Sequence, residues 1–244
     1  MAKHELLNNI THKNLKIITE KSARYGDNVA GALILPEEFT AVQREYPIVF
    51  QKDAQSGEFQ AVALFGFQEN ENLFLDANGW NANYIPAIME REPFLIGFQA
   101  SQDSPEGRAP VIHVDMENPR ISASDEGQPV FLEQGGNTPY IEKIGKILEL
   151  IHQGLAVSQD MFKAFLAAEL IEPLTLEVEF NNGDLLKITD YYTINQERLF
   201  TLDDAFLGKL HRAGYLNYAF LVVASLGNVR KLVNLKEARR LQSL

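Results

Sequence analysis

Apolar and polar residues alternate without a break from Leu174 to Phe180, through Thr175, Leu176, Glu177, Val178 and Glu179. That two-residue period marks a half-buried strand. Asn181-Asn182-Gly183-Asp184 follows, and Asn-Gly tolerates the positive φ of a tight primed turn, so the pattern predicts a β-hairpin over 174–194. Its returning strand comprises Leu185–Ile188 and Tyr191–Ile194.

Short apolar runs bounded by Gly, Asn, Asp and Ser predict further antiparallel strands at Val29–Leu35, Ile48–Lys52, Phe59–Phe67, Asn72–Asp76, Phe94–Gln99 and Val111–Met116. Residues 1–24 read as a polar arm ending in a short strand, and 117–129 as irregular. Tyr25-Gly26-Asp27-Asn28 and Asp76-Ala77-Asn78-Gly79 are turn chemistry, and Gln102–Arg108 reads as a loop. The stretch from Tyr46 to Phe98 is expected to form the central antiparallel sheet.

Elsewhere the period lengthens. Pro36-Glu37-Glu38 opens a short helix with Phe39, Val42 and Tyr46 on one face, and Tyr84–Glu90 reads as helical. Thr138-Pro139 is an N-cap with proline at the first helical position. Ile141, Ile144, Leu148, Ile151 and Leu155 then recur at steps of three and four, with Gly154 expected to end the helix. Ser158-Gln159-Asp160 is expected to cap a second helix running to Pro173. Thr201 with Asp203 and Asp204 caps another carrying Phe206, Leu207, Leu210 and Tyr215, followed by an apolar stretch at Tyr218–Leu226. The fold class is α+β: one domain over 1–244, with a weak subdivision into a sheet-rich part (1–116) and a helix-and-hairpin part (138–244).

Composition narrows the function classes. Hydrophobic residues are 45% and charged residues 23%, which fits a globular chain with a core rather than wholesale disorder. The net charge of −11, spread along the chain, repels a phosphate backbone and argues against nucleic acid as a partner. The absence of cysteine removes disulfides, thiolate metal sites and cysteine nucleophiles. Polar residues and a charge stand where a secretory signal needs an apolar run, and Ala219–Ala224 is far short of the roughly 20 apolar residues of a transmembrane span. A soluble, cytoplasmic protein is expected.

Three constellations carry candidate chemistry. Phe65, Phe67, Phe74, Trp80, Tyr84 and Phe98 could line a pocket for a flat ligand or form core. His113 and Asp115, on one face of a strand with Glu117, could join His152 or His211 in the facial triad of a non-haem iron site; the alternative is an ordinary strand edge. Arg230, Lys231, Lys236, Arg239 and Arg240 form a basic tail that could meet an acidic partner, the protein's own acidic surface, or solvent. Phosphate loops, dinucleotide fingerprints, zinc helices and nucleophile elbows do not occur in the sequence.

Tyr25-Gly26-Asp27-Asn28-Val29-Ala30, Glu45-Tyr46-Pro47-Ile48-Val49-Phe50 and Asn72-Leu73-Phe74 resemble the SapC-like bacterial protein family. So do Leu170-Ile171-Glu172-Pro173-Leu174, the Asn182-Gly183 hairpin, Tyr192-Thr193-Ile194 and Ala224-Ser225-Leu226-Gly227-Asn228. The resemblance covers nearly the whole chain and rests on structural phrases, so it transfers no catalytic residue. It implies an association with bacterial surface layers or nutrient uptake, beside halogenase-like, cupin-like and outer-membrane receptor proteins. A peptide-transport permease shares the name but is a membrane protein. The expectation is a non-enzymatic accessory or binding protein with a protein partner and no cofactor of its own. The alternative is an enzyme or subunit working with a flavin-dependent halogenase-like or non-haem iron oxygenase partner that supplies flavin or iron.

Overall fold

The computed structural model describes residues 3–101 and 107–242, so most of the loop expected at 102–108 lies outside the described residues. In chain order the strands are β1 (His4–Leu6), β2 (Lys16–Ile17), β3 (Gly31–Ile34), β4 (Ile48–Lys52), β5 (Phe59–Leu64), β6 (Leu75–Asp76), β7 (Gly79–Trp80), β8 (Phe94–Ala100), β9 (Arg108–Asp115), β10 (Gln128–Pro129), β11 (Ile171–Glu179) and β12 (Leu185–Ile194). The helices are α1 (Phe39–Val42), α2 (Ala87–Glu90), α3 (Pro139–Ala167), α4 (Gln196–Phe200), α5 (Asp204–Arg212), α6 (Tyr215–Ser225) and α7 (Val229–Gln242). With every ladder antiparallel, the class is α+β.

The chain divides into two compact units: Met1–Asp27 with Ala87–Gln153, and Asn28–Pro86 with Gly154–Leu244. These cuts differ from the break expected at 117–137, because strand partners far apart in sequence decide them.

In the first unit β1, β9 and β8 form a three-stranded sheet in the order β1-β9-β8, and β2 pairs with β10. Phe94, Val114, Ile17 and Val130 bury themselves against Ile141, Ile144 and Leu148 of α3. Arg120, 2% exposed, closes this unit. Its Nη2 donates to both oxygens of Asp27 at 2.7 and 2.6 Å, and its Nη1 donates to the carbonyls of Ile18 and Glu20. Desolvating such a pair costs much of what it gains, but removing Asp27 leaves the buried Arg120 charge without its carboxylate, at roughly 3–5 kcal/mol.

In the second unit the sheet order is β11-β12-β4-β5-β3. Its alternation is the expected one: Leu176 and Val178 are buried while Thr175, Glu177 and Glu179 face out. Gly183 turns the hairpin at φ 85°. A register shift between Leu174 and Leu176, with Asp190 at φ 70°, lets β12 continue through the two expected segments.

Several expectations need correction. Tyr46–Phe98 is not one sheet: β4 and β5 belong to the five-stranded sheet, whereas β8 pairs with β9 in the other unit. Of Asn72–Asp76 only Leu75–Asp76 is strand, because the Asn72 side chain accepts from the Phe74 N–H and turns the chain. Helix α2 starts at Ala87 rather than Tyr84, since Pro86 holds the residue before it extended. Tyr215 opens α6, separated from α5 by Gly214 at φ 79°.

Gly154 does not end a helix. Helix α3 runs through it and through Ser158–Asp160, which make no break. A Cβ on Gly154 would lie 2.8 Å from Leu35 Cδ1 and 3.0 Å from Leu35 Cβ, so close packing explains the glycine. The start was as expected: the Thr138 hydroxyl accepts from the Ile141 N–H at 3.4 Å. Among the described residues no helix is long and apolar enough to cross a membrane.

Candidate functional site

The cleft beside Trp80, in the second unit, is built on a short ribbon. Leu75 pairs with Trp80 and Asp76 with Gly79; the Asp76 carboxylate accepts from the Asn78 N–H, and Gly79 takes φ 109°. A two-stranded ribbon is marginal alone, and the basic tail holds this one. Folded as α7, the tail places Arg239 so that it donates to the carbonyls of Asn72 (3.0 Å) and Leu75 (2.7 Å), while Lys236 bonds Glu71. Lys231 lies 5.0 Å above the Phe74 ring and 3.5 Å from Glu45. Arg240 instead grips the hairpin turn through Asn182 and Asp184 and covers Phe180, and Arg230 is exposed. Four of the five tail cations thus meet acceptors in their own unit.

Behind the ribbon stands Tyr46, fully buried at the end of the turn that follows α1. Its ring meets Phe74 at 4.6 Å and Phe65 at 5.2 Å edge to face, and Phe65 meets Trp80 at 5.0 Å. The Trp80 indole N–H donates to the Tyr46 hydroxyl (2.8 Å), which donates to the Tyr84 carbonyl (2.6 Å). The Tyr84 hydroxyl donates in turn to Glu38 (2.8 Å), whose other oxygen accepts from the Leu35 N–H. Burial pushes the Tyr46 phenol well above the ordinary tyrosine range, only partly offset by the Trp80 donor. At the mouth, one Glu45 oxygen accepts from the Asn83 N–H at 2.8 Å.

The cleft holds about 410 Å³ between Glu45, Phe74, Trp80, Asn81, Asn83 and Lys231. A second hollow of about 240 Å³, lined by Asp76, Asn78, Gly79, Trp80 and Asn81, shares the indole. Of the expected aromatic wall, Phe74 and Trp80 line the cleft, and Phe65 and Tyr84 stand behind it. Phe67 packs toward Phe180 (6.4 Å). Phe98 belongs to the other unit, half exposed, with Arg108 5.7 Å from its ring and His152 5.0 Å away. Sequence reasoning missed Glu45, Asn81 and Asn83; the crowding of amides at Asn78, Asn81 and Asn83 around the single tryptophan was the available signal.

His113 and Asp115 are not brought into a triad. His113 pairs with Leu6 and Leu95, and its imidazole lies over Gly97, where a Cβ would fall 2.5 Å from Cδ2. Asp115 Oδ1 accepts from the N–H groups of Lys3 (3.2 Å) and Glu117 (3.1 Å). Strand alternation puts His113 on the sheet face opposite Ile112 and Val114, which pack against the core that includes α3, the helix bearing His152. His211 lies on α5 in the other unit. Among the described residues no group of three or more His, Asp or Glu could hold a metal.

The SapC family model matches residues 7–232, almost the entire chain. The chain belongs to the SapC family. No curated protein and no solved structure matches it. In this SapC-family protein the family phrases Glu45-Tyr46-Pro47 and Asn72-Leu73-Phe74 supply the Trp80 cleft with Glu45, Tyr46 and Phe74. Tyr25-Gly26-Asp27 supplies the carboxylate that Arg120 clamps.

Proposed function

We propose that this SapC-family protein is a non-enzymatic binding or accessory protein of bacterial surface-layer or nutrient-uptake systems, soluble and cytoplasmic, and that the Trp80 cleft is its recognition site. The observation that carries this reading is the way the cleft is wired. Trp80, Tyr46, Tyr84 and Glu38 form one chain of hydrogen bonds, and Glu45 is tied to Asn83 and Lys231. Polar groups tied to their scaffold are preorganised for binding, which lowers the ordering cost of holding a ligand. The lining among the described residues supplies amides, the carboxylates of Glu45 and Asp76, an ammonium and aromatic faces, a set suited to hydrogen-bonded recognition. Surface-layer and uptake roles come from the family resemblance.

Native mass spectrometry of protein purified from its own host, with Trp80 emission followed as any co-purifying protein is added back, tests the reading. A co-purifying protein that shifts the emission supports it. A retained flavin or metal together with turnover overturns it.

A further inference from the structure

We propose that the two hollows flanking Trp80 form a binding site for a neutral saccharide. This rests on the cleft being a recognition site and adds the chemical class of what it recognises.

The indole spends its only polar atom on the scaffold. Its N–H is taken by Tyr46 at 2.8 Å, and the Phe65 ring stands edge-on at 5.0 Å and 84°. What Trp80 can still offer a ligand is a fixed apolar plate. That plate borders hollows of about 410 and 240 Å³, both also lined by Asn81.

Around it are groups with hydrogen-bonding capacity to spare. Asn78, Asn81 and Asn83 are exposed, and their side-chain amides make no hydrogen bond among the described residues. Each amide offers two donors and an acceptor. Glu45 keeps acceptor capacity beyond its bonds to Asn83 and Lys231, and a carboxylate provides about four lone-pair sites.

Ligand classes separate on this arrangement. A wholly apolar molecule would desolvate the amides and the Glu45–Lys231 pair without replacing their hydrogen bonds. An anion would meet Glu45 and Asp76, and in the larger hollow a cation would meet Lys231. A sugar ring has an apolar C–H face for the indole and a rim of uncharged hydroxyls that both donate and accept, which suits amides gathered beside an apolar plate.

Trp80 is the single tryptophan, so its emission reports on this site alone. The full chain is titrated with maltose, cellobiose and N,N′-diacetylchitobiose, with glycerol, glucuronate and glucosamine as controls. A saturable emission change with at least one neutral disaccharide, at a Kd of about a millimolar or tighter, is expected, and the controls should give none. The double variant Asn81→Ala/Asn83→Ala should weaken that binding at least about tenfold while its urea midpoint stays unchanged.

No saturable response to any of the three disaccharides, or a response that persists in the double variant, overturns the saccharide assignment. If a co-purified host protein still shifts Trp80 emission while the sugars do not, the saccharide class falls and the recognition reading stands. Silence toward both removes both.

Discussion

On β9, His113 and Asp115 stand two residues apart; on the β6–β7 ribbon, Asn78 and Trp80 do too. The outcomes differ because one segment is straight and the other turns. On β9 the backbone N–H groups of Lys3 and Glu117 occupy the carboxylate, and the imidazole fills the space over Gly97. On the ribbon the chain doubles back at Asp76–Gly79, and Asp76, Asn78 and Asn81 gather around one indole. A strand inside a sheet spreads chemistry along a surface, whereas a tight turn concentrates it.

The largest test of this contrast removes the support behind the ribbon. Tyr46→Ala deletes a fully buried ring that touches Phe65 and Phe74 and accepts from Trp80, and should cost roughly 3–5 kcal/mol. Urea unfolding followed by Trp80 emission would show a lower midpoint and a red-shifted native spectrum. A blue or unchanged native spectrum would mean that Trp80 does not depend on Tyr46.

On the β9 side, Gly97→Ala should cost about 1–3 kcal/mol by driving a methyl into the His113 ring. Adding His113→Ala should recover most of that loss in a double-mutant cycle. Additive losses would show that the imidazole is not what reserves the space.

A smaller effect tests the hydroxyl alone. Tyr46→Phe should cost about 1 kcal/mol, since two hydrogen bonds go while the ring remains. Because burial raises the folded-state pKa of this phenol above the unfolded value of about 10, its contribution is fully present below pH 10. It is lost as pH rises from there toward the folded value, because the unfolded chain releases the proton first. Alkaline titration of stability should therefore fall less steeply in Tyr46→Phe than in the parent. Tyr140 in the first unit is raised for the same reason, so Tyr140→Phe should flatten the curve as well. The smallest expected change is in Asn81→Ala, whose exposed side chain should alter stability by less than about 0.5 kcal/mol. A larger loss would give the ribbon's amides a structural role.

Local signals were read well where one residue's chemistry governs its own backbone. Thr138-Pro139 starts α3 and Asn182-Gly183 turns the hairpin; Asp203 caps α5 by accepting from the Phe206 N–H, whereas Thr201, expected to share that cap, ends α4 instead. They failed where a distant neighbour decides. Gly154 has the look of a stop, yet Leu35, far away in sequence, is what it accommodates. Arg120, buried against Asp27, gave no sign of itself in a polar, irregular stretch. Helix α4 was missed because its cap, Asn195, directly follows a strand. For the site, the aromatic stretch and the basic tail were both visible as features. That Arg239 of the tail holds the ribbon at Leu75, while Lys231 and Lys236 hold Phe74 and Glu71 just before it, was not, because nothing in either segment names its partner.

By itself the sequence determined the α+β class, the hairpin at its tip, the opening turn of α3 and the family, since each depends on local periodicity, turn chemistry or contiguous phrases. Only the tertiary structure decided that Phe98 and Trp80 part company, that α3 does not break, and that Glu45, Asn81 and Asn83 join an aromatic plate in one cleft. Those outcomes depend on which surfaces exclude water together, and that is a property of the whole packed chain.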